Sequence, residues 1–141
     1  MILYLDTSAL VKVYVAEGAS ETVRSWMARA DDIAIVGIAY AEARAAFARH
    51  AREGRLAKAD LRQVVTRLED DWTRYTVIDT TELVVRSAGG LAERHALRGF
   101  DAIHLAAALE LRAPGIVVEF ACFDDRLERA ARRERLRVPA V

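Results

Sequence analysis

Four carboxylates stand at the edges of apolar segments in this chain. Asp6 follows the run Ile2-Leu3-Tyr4-Leu5, and Asp124 follows Phe120-Ala121-Cys122-Phe123. Glu42 lies in Ala41-Glu42-Ala43-Arg44-Ala45, and Asp101 opens Asp101-Ala102-Ile103-His104-Leu105-Ala106-Ala107-Ala108. Ionised carboxylates only accept hydrogen bonds, and several brought together repel. A fold that gathers them usually neutralises them with a hard cation, and an oxygen-only donor set selects Mg²⁺ or Mn²⁺ over zinc or copper. Each also has a plainer reading. An Asp after a strand is commonly a turn or cap residue. Glu42 could pair with an Arg on a solvated face, although its neighbours are mostly Ala, and a charge there wants a reason.

The elements that must position these groups read as alternating strands and helices. Residues 2–5, 33–36, 75–78 and 116–123 are strand-like, and 136–138 could be a short last strand. Helical segments are expected over 7–16, 20–30, 39–52, 57–74, 80–96, 101–112 and 125–135. Thr7 or Ser8 is the expected cap of the first helix, Ser20 of the second, and Asp79 with Glu82 resembles a capping box. Asp125 is expected to cap the last helix, leaving Asp124 as the acid that follows the strand. Gly54 and Gly99 break segments, and Pro114-Gly115 marks a turn. This alternation indicates an α/β fold with a mainly parallel sheet. Ligands of such sheets bind outside the carboxyl ends of the strands. Asp6 and Asp124 fall at strand ends, with Glu42 and Asp101 near helix N-termini, so one sheet edge can hold all four.

Composition sets the frame. The chain has 141 residues, 53% hydrophobic and 30% charged, which suits one soluble domain spanning 1–141. Its 21 cations balance 21 anions, so net charge gives no global steering toward nucleic acid. All the cations but Lys12 and Lys58 are Arg, the better fork for phosphate or carboxylate. A lone cysteine, Cys122, permits no intrachain disulfide. No signal peptide and no membrane-length apolar run is evident, so a cytoplasmic protein is expected.

Four blocks together resemble the PIN domain, and specifically the VapC toxins of bacterial type II toxin–antitoxin pairs. They are Tyr4-Leu5-Asp6-Thr7-Ser8-Ala9-Leu10, Ala41-Glu42, Phe100-Asp101-Ala102-Ile103-His104-Leu105-Ala106-Ala107-Ala108, and Phe123-Asp124-Asp125-Arg126-Leu127. The resemblance implies a PIN-like α/β/α sandwich with a mainly parallel four- to five-stranded sheet. It implies a Mg²⁺- or Mn²⁺-dependent ribonuclease that hydrolyses RNA phosphodiesters by in-line attack of water. Asp6 and Asp101 would be primary metal ligands, with Glu42 and Asp124 completing the site directly or through water. It also implies a VapB-like antitoxin partner, and homodimers are common in the family. The antitoxin would bind through a short amphipathic helix or strand. The apolar stripes of the second and fourth helices are candidate surfaces for it, and equally candidate core.

Around the four acids, Ser8 or Thr7 could orient Asp6 or a water, or could simply cap the helix. His104 stands one helical turn after Asp101, as a proton relay or, more plainly, as a satisfied half-buried histidine. Arg98 could meet a phosphate or lie free on the surface. The C-terminal Arg126, Arg129, Arg132, Arg133, Arg135 and Arg137 could follow an RNA backbone, but interleaved Glu128 and Glu134 favour a salt-bridged face. A receiver domain would need a Lys near its last strand, and a dehalogenase-like phosphatase an acid at position 8, which is Ser. No P-loop occurs, and three scattered histidines with one cysteine do not match the ligand spacing of structural zinc. The remaining rival is a PIN fold that only binds antitoxin or RNA without cleaving.

Overall fold

Residues 1–140 are described by the structure, a computed structural model. The elements run β1 (Ile2–Leu5), α1 (Thr7–Tyr14), α2 (Ser20–Arg29), β2 (Asp32–Val36), α3 (Ala39–Arg52), α4 (Lys58–Trp72), β3 (Thr76–Ile78), α5 (Glu82–His95), α6 (Gly99–Glu110), β4 (Val118–Ala121) and α7 (Asp125–Arg133). The strands form one parallel sheet in the order β3-β2-β1-β4. Tyr4 lies opposite Ala34 on one side and Phe120 on the other.

Side chains alternate across a strand, so β1 sends its residues to two cores. Leu3 and Leu5 join Ile35, Val23, Trp26, Phe47 and Leu68 under α1 to α4. Tyr4 joins Val36, Phe120, Leu91, Leu105 and Leu127 under α5 to α7. Both faces are covered, as an all-parallel sheet requires. This is the expected α/β/α sandwich, with four strands. The expected strand at 136–138 makes only an isolated bridge, Arg137 to Glu119. The apolar stripes of α2 and α4 are core, because Val23, Trp26, Val64 and Leu68 are buried against the sheet.

Several helix starts differ from expectation. Asp6, not Thr7 or Ser8, caps α1, accepting from the Ala9 N–H. Ala19, at φ 70°, takes the cap position of α2, while the Ser20 hydroxyl accepts from Glu17 N–H and donates to the Val15 carbonyl. Thr81, not Asp79, caps α5 through Val84 N–H. Asp124, not Asp125, caps α7 through Leu127 N–H at 2.8 Å. Gly99 is the first residue of α6 rather than a separator. The Pro114-Gly115 turn is present, with Gly115 at φ +80°, where a side chain would be strained. None of the described helices is long and apolar enough to cross a membrane.

Candidate active site

The strand order changes direction at β1: β2 lies on one side of it and β4 on the other. Chains leaving β1 and β4 therefore diverge to opposite faces and open a crevice at the carboxyl edge, the usual ligand position in such sheets. Asp6 follows β1 directly, and Asp124 stands three residues beyond β4. Glu42 enters from the first turn of α3, and Asp101 from the first turn of α6. All four line one cleft of about 760 Å³.

Three of the four carboxylates, Asp6, Glu42 and Asp124, are each held through one oxygen. Asp6 is buried, and its Oδ1 accepts from the Ser8 hydroxyl at 2.7 Å and the Ala9 N–H at 2.9 Å. Ser8 also accepts from Phe123 N–H at 3.1 Å, so one hydroxyl joins the ends of β1 and β4. Thr7 serves a different acid from Ser8: its hydroxyl donates to Glu42 Oε1 at 2.7 Å. His104 is fully buried rather than half-buried. Its Nε2 lies 2.7 Å from the same Glu42 oxygen, and its Nδ1 lies 2.9 Å from the Tyr4 hydroxyl. A carboxylate only accepts, so Nε2 carries a proton toward Glu42, while Nδ1 and the Tyr4 hydroxyl share a hydrogen bond.

Charge crowding is visible in the acids. Burial raises the Asp6 carboxyl above the usual range, and Asp101 adds to the rise, while His104, Ser8 and the Ala9 N–H oppose it. Asp101 is raised by burial first, then by the charges of Asp124 and Glu42, with His104 and Arg98 opposing. Burial opposes ionisation of Glu42 too, but the His104 and Thr7 hydrogen bonds outweigh it and hold that carboxyl low. Among the described residues, no three His, Cys, Asp or Glu side chains are already drawn together tightly enough to hold an ion. The occupied oxygens explain this: Glu42 Oε1 is turned to His104, and Asp124 Oδ1 is turned to the α7 backbone. Asp6 Oδ2, Glu42 Oε2, Asp124 Oδ2 and both Asp101 oxygens make no hydrogen bond among the described residues. Unpartnered anionic oxygens that repel one another in a cleft are the donor set a hard cation takes, with waters completing its shell.

The cleft holds further residues beside the four acids. Lys12 donates to Glu17 Oε2 at 3.0 Å, and His50 Nε2 lies 2.7 Å from Glu17 Oε1. Arg49 and Arg52 are exposed on the same wall. Helical spacing could have revealed them, since positions 42, 46, 49 and 50 share one face of α3. Arg98 and Phe100 line the cleft at the start of α6, and Phe123 lies beside Lys12, whose Nζ is 4.7 Å from its ring centroid. Of the six C-terminal arginines, Arg132 alone forms a salt bridge among the described residues, with Glu128; Glu134 pairs instead with Arg94 and His95 of α5, so the expected salt-bridged face is formed only in part. Cys122 is buried, and burial pushes its thiol well above the usual range, so it is no nucleophile.

Comparison with known proteins agrees with this architecture. The PIN domain family matches residues 3–133. Ribonuclease VapC49 of Mycobacterium tuberculosis is 38% identical over 137 residues, covering 97% of this chain and 94% of the relative. FitAcB from Neisseria gonorrhoeae superposes with a TM-score of 0.67 at 21% identity, over 98% of this chain and 96% of that one. VapBC2 from Rickettsia felis, solved with a DNA fragment from its promoter, gives 0.66 at 18% identity, over 99% and 98%. The two structural likenesses speak to the fold; the sequence matches carry the kinship, and by them the chain belongs to the PIN-domain family, among its VapC-like members.

Proposed function

We propose that this protein is a Mg²⁺- or Mn²⁺-dependent endoribonuclease, the toxin of a VapBC-type pair. One observation carries the reading: four carboxylates from four separate elements line a single cleft at the switch point of the sheet. The name of the M. tuberculosis relative, a ribonuclease, supports the reaction class. The VapBC2 assembly supports a VapB-like antitoxin as partner. RNA is the proposed substrate, the cytoplasm the proposed compartment, and a homodimer the proposed assembly.

Asp6 and Asp101 would hold the ion, with Glu42 and Asp124 beside them. When bound, it would supply Lewis acidity toward a phosphodiester and ease deprotonation of the attacking water. The chain's own residues do the rest. Ser8 and the α1 backbone fix one oxygen of Asp6 and leave the other to the cleft. His104, Tyr4 and Thr7 hold Glu42 ionised and oriented. Arg98, Arg49 and Arg52 put cations on the rim, where phosphates that flank the acids can be met. Lys12 is held back by Glu17.

The test is RNA cleavage by the purified, antitoxin-free protein with Mg²⁺, Mn²⁺ or chelator, beside Asp6→Asn and Asp101→Asn. Cleavage that needs the ion and is lost in both variants is expected. No cleavage of total cellular RNA with either ion, and no ion bound by calorimetry, would leave a PIN fold that only binds.

A further inference from the structure

We propose that Phe100 and Arg98 form a subsite that holds one unpaired nucleobase and its adjacent phosphate beside the acidic cleft. The inference rests on the ribonuclease reading and deepens it by naming how the substrate is gripped.

Two phenylalanines stand next to the acids, and they differ. Phe123 is committed to its own chain. Trp26 stacks against it at 5.7 Å and 20°, and Lys12 Nζ lies 4.7 Å from its ring centroid. Phe100 has neither kind of neighbour among the described residues, and 62% of it is exposed. It lines the cleft immediately before Asp101. Its backbone is the second residue of α6, so the ring is presented from a fixed helical turn rather than a loose loop. An uncovered ring at the lip of a cleft rich in charged side chains offers its face to a flat apolar partner that arrives with the ligand. Nucleobases are such partners, and single-stranded RNA is gripped by stacking bases on aromatic side chains.

Arg98 completes the subsite. It is exposed, makes no salt bridge among the described residues, and its charge is felt by Asp101. On the far wall, Arg49 and Arg52 are likewise exposed and without a salt bridge among the described residues. A strand crossing the carboxylates therefore meets cations on both sides and a ring on one side. A polymer with alternating phosphates and flat bases matches that order.

The subsite would stack every base and favour those with the larger π-face, so it sets a modest purine preference beside the cleavage point rather than a strict sequence.

The experiment measures binding, not turnover. The full chain carrying Asp101→Asn is titrated against fluorescein-labelled single-stranded RNA by anisotropy in Mg²⁺, and against an abasic strand of equal length. Phe100→Ala and Phe100→Leu should each weaken RNA binding about 5- to 100-fold. Phe100→Trp should retain it. The abasic strand should bind the parent and Phe100→Ala alike. Arg98→Gln should lower the slope of log affinity against log salt by about 0.7, and Phe100→Ala should leave that slope unchanged. RNA affinity that is equal in the parent and Phe100→Leu overturns the subsite while leaving the ribonuclease reading intact. Loss of a co-expressed antitoxin from Phe100→Ala, with RNA affinity unchanged, reassigns the ring to a protein contact and overturns it equally. A parent that binds no RNA overturns the subsite, and cleavage by the unsubstituted chain decides the ribonuclease reading separately.

Discussion

Glu42 Oε1 lies 2.7 Å from His104 Nε2, although the two residues come from helices that pack on opposite faces of the sheet. The contact closes over the carboxyl edge of β1, and the Tyr4 hydroxyl backs the ring from below at 2.9 Å. Three elements thus determine where one carboxylate points. His104→Leu removes its contacts to Glu42, Tyr4 and Thr7. The expected cost is about 1–3 kcal/mol in urea unfolding. Glu42 should titrate higher in the variant than in the parent, followed by carboxyl NMR. Its folded pKa lies below the ordinary value, so its contribution to stability is present above the unfolded carboxylate range and lost as pH falls through the depressed value. The variant should lose that acid-side dependence. An unchanged Glu42 titration would mean that the histidine does not hold the charge.

Ser8 makes a different kind of join. Its hydroxyl donates to Asp6 and accepts from Phe123 N–H, linking the segments that carry Asp6 and Asp124. Ser8→Ala should cost about 1 kcal/mol of stability. Cleavage should fall about 10- to 100-fold, because groups that orient a metal-binding carboxylate carry effects of that size. Ser8→Thr should recover part of the rate. Full activity in Ser8→Ala would show that the α1 backbone alone orients Asp6.

Asp6 is expected to trade stability for function. Burial raises its carboxyl, so the folded chain favours the neutral form. The sign follows directly: this group's contribution is fully present below the ordinary aspartate range and is lost as pH rises through the raised value. At neutral pH, without divalent ions, Asp6→Asn should unfold a few degrees above the parent. Asn still caps a helix well, so α1 loses little. The gap should close as pH is lowered. A variant that melts below the parent at pH 7 would mean that the charged Asp6 is satisfied in the free protein.

The sheet and its two helical layers were legible because apolar runs and helical stripes are read directly from hydrophobic periodicity. The four acids were legible as edge residues for the same reason. Helix starts were less so. Asp6 reads as a cap or a site residue, and Asp124 as a site residue beside the expected cap Asp125; in the structure each is a cap that also lines the cleft. A carboxylate has two oxygens; one can satisfy a helix N-terminus while the other faces the crevice, and residue type alone does not reveal that division. His104 looked like a half-buried helix residue because its partners, Tyr4 and Glu42, are 100 and 62 positions away. Lys12, Glu17 and His50 were invisible as a group, since a loop and two helices bring them together.

The crowding of the acids sets a last expectation. Asp101 is raised by burial and then by Asp124 and Glu42, so bringing a cation among them relieves a cost already present in the folded chain. The unfolded chain scatters the four and cannot offer the site, so the ion should stabilise only the folded state. Mn²⁺ at about 100 times its dissociation constant should add about 2.7 kcal/mol, read as a rise in melting temperature that grows with ion concentration. Asp101→Asn and Asp6→Asn should flatten that response. Glu42→Gln should weaken it less, because Glu42 Oε1 is already turned to His104 in the free protein. A melting temperature indifferent to Mg²⁺ and Mn²⁺ in the parent would mean that the carboxylates meet in the cleft without sharing an ion.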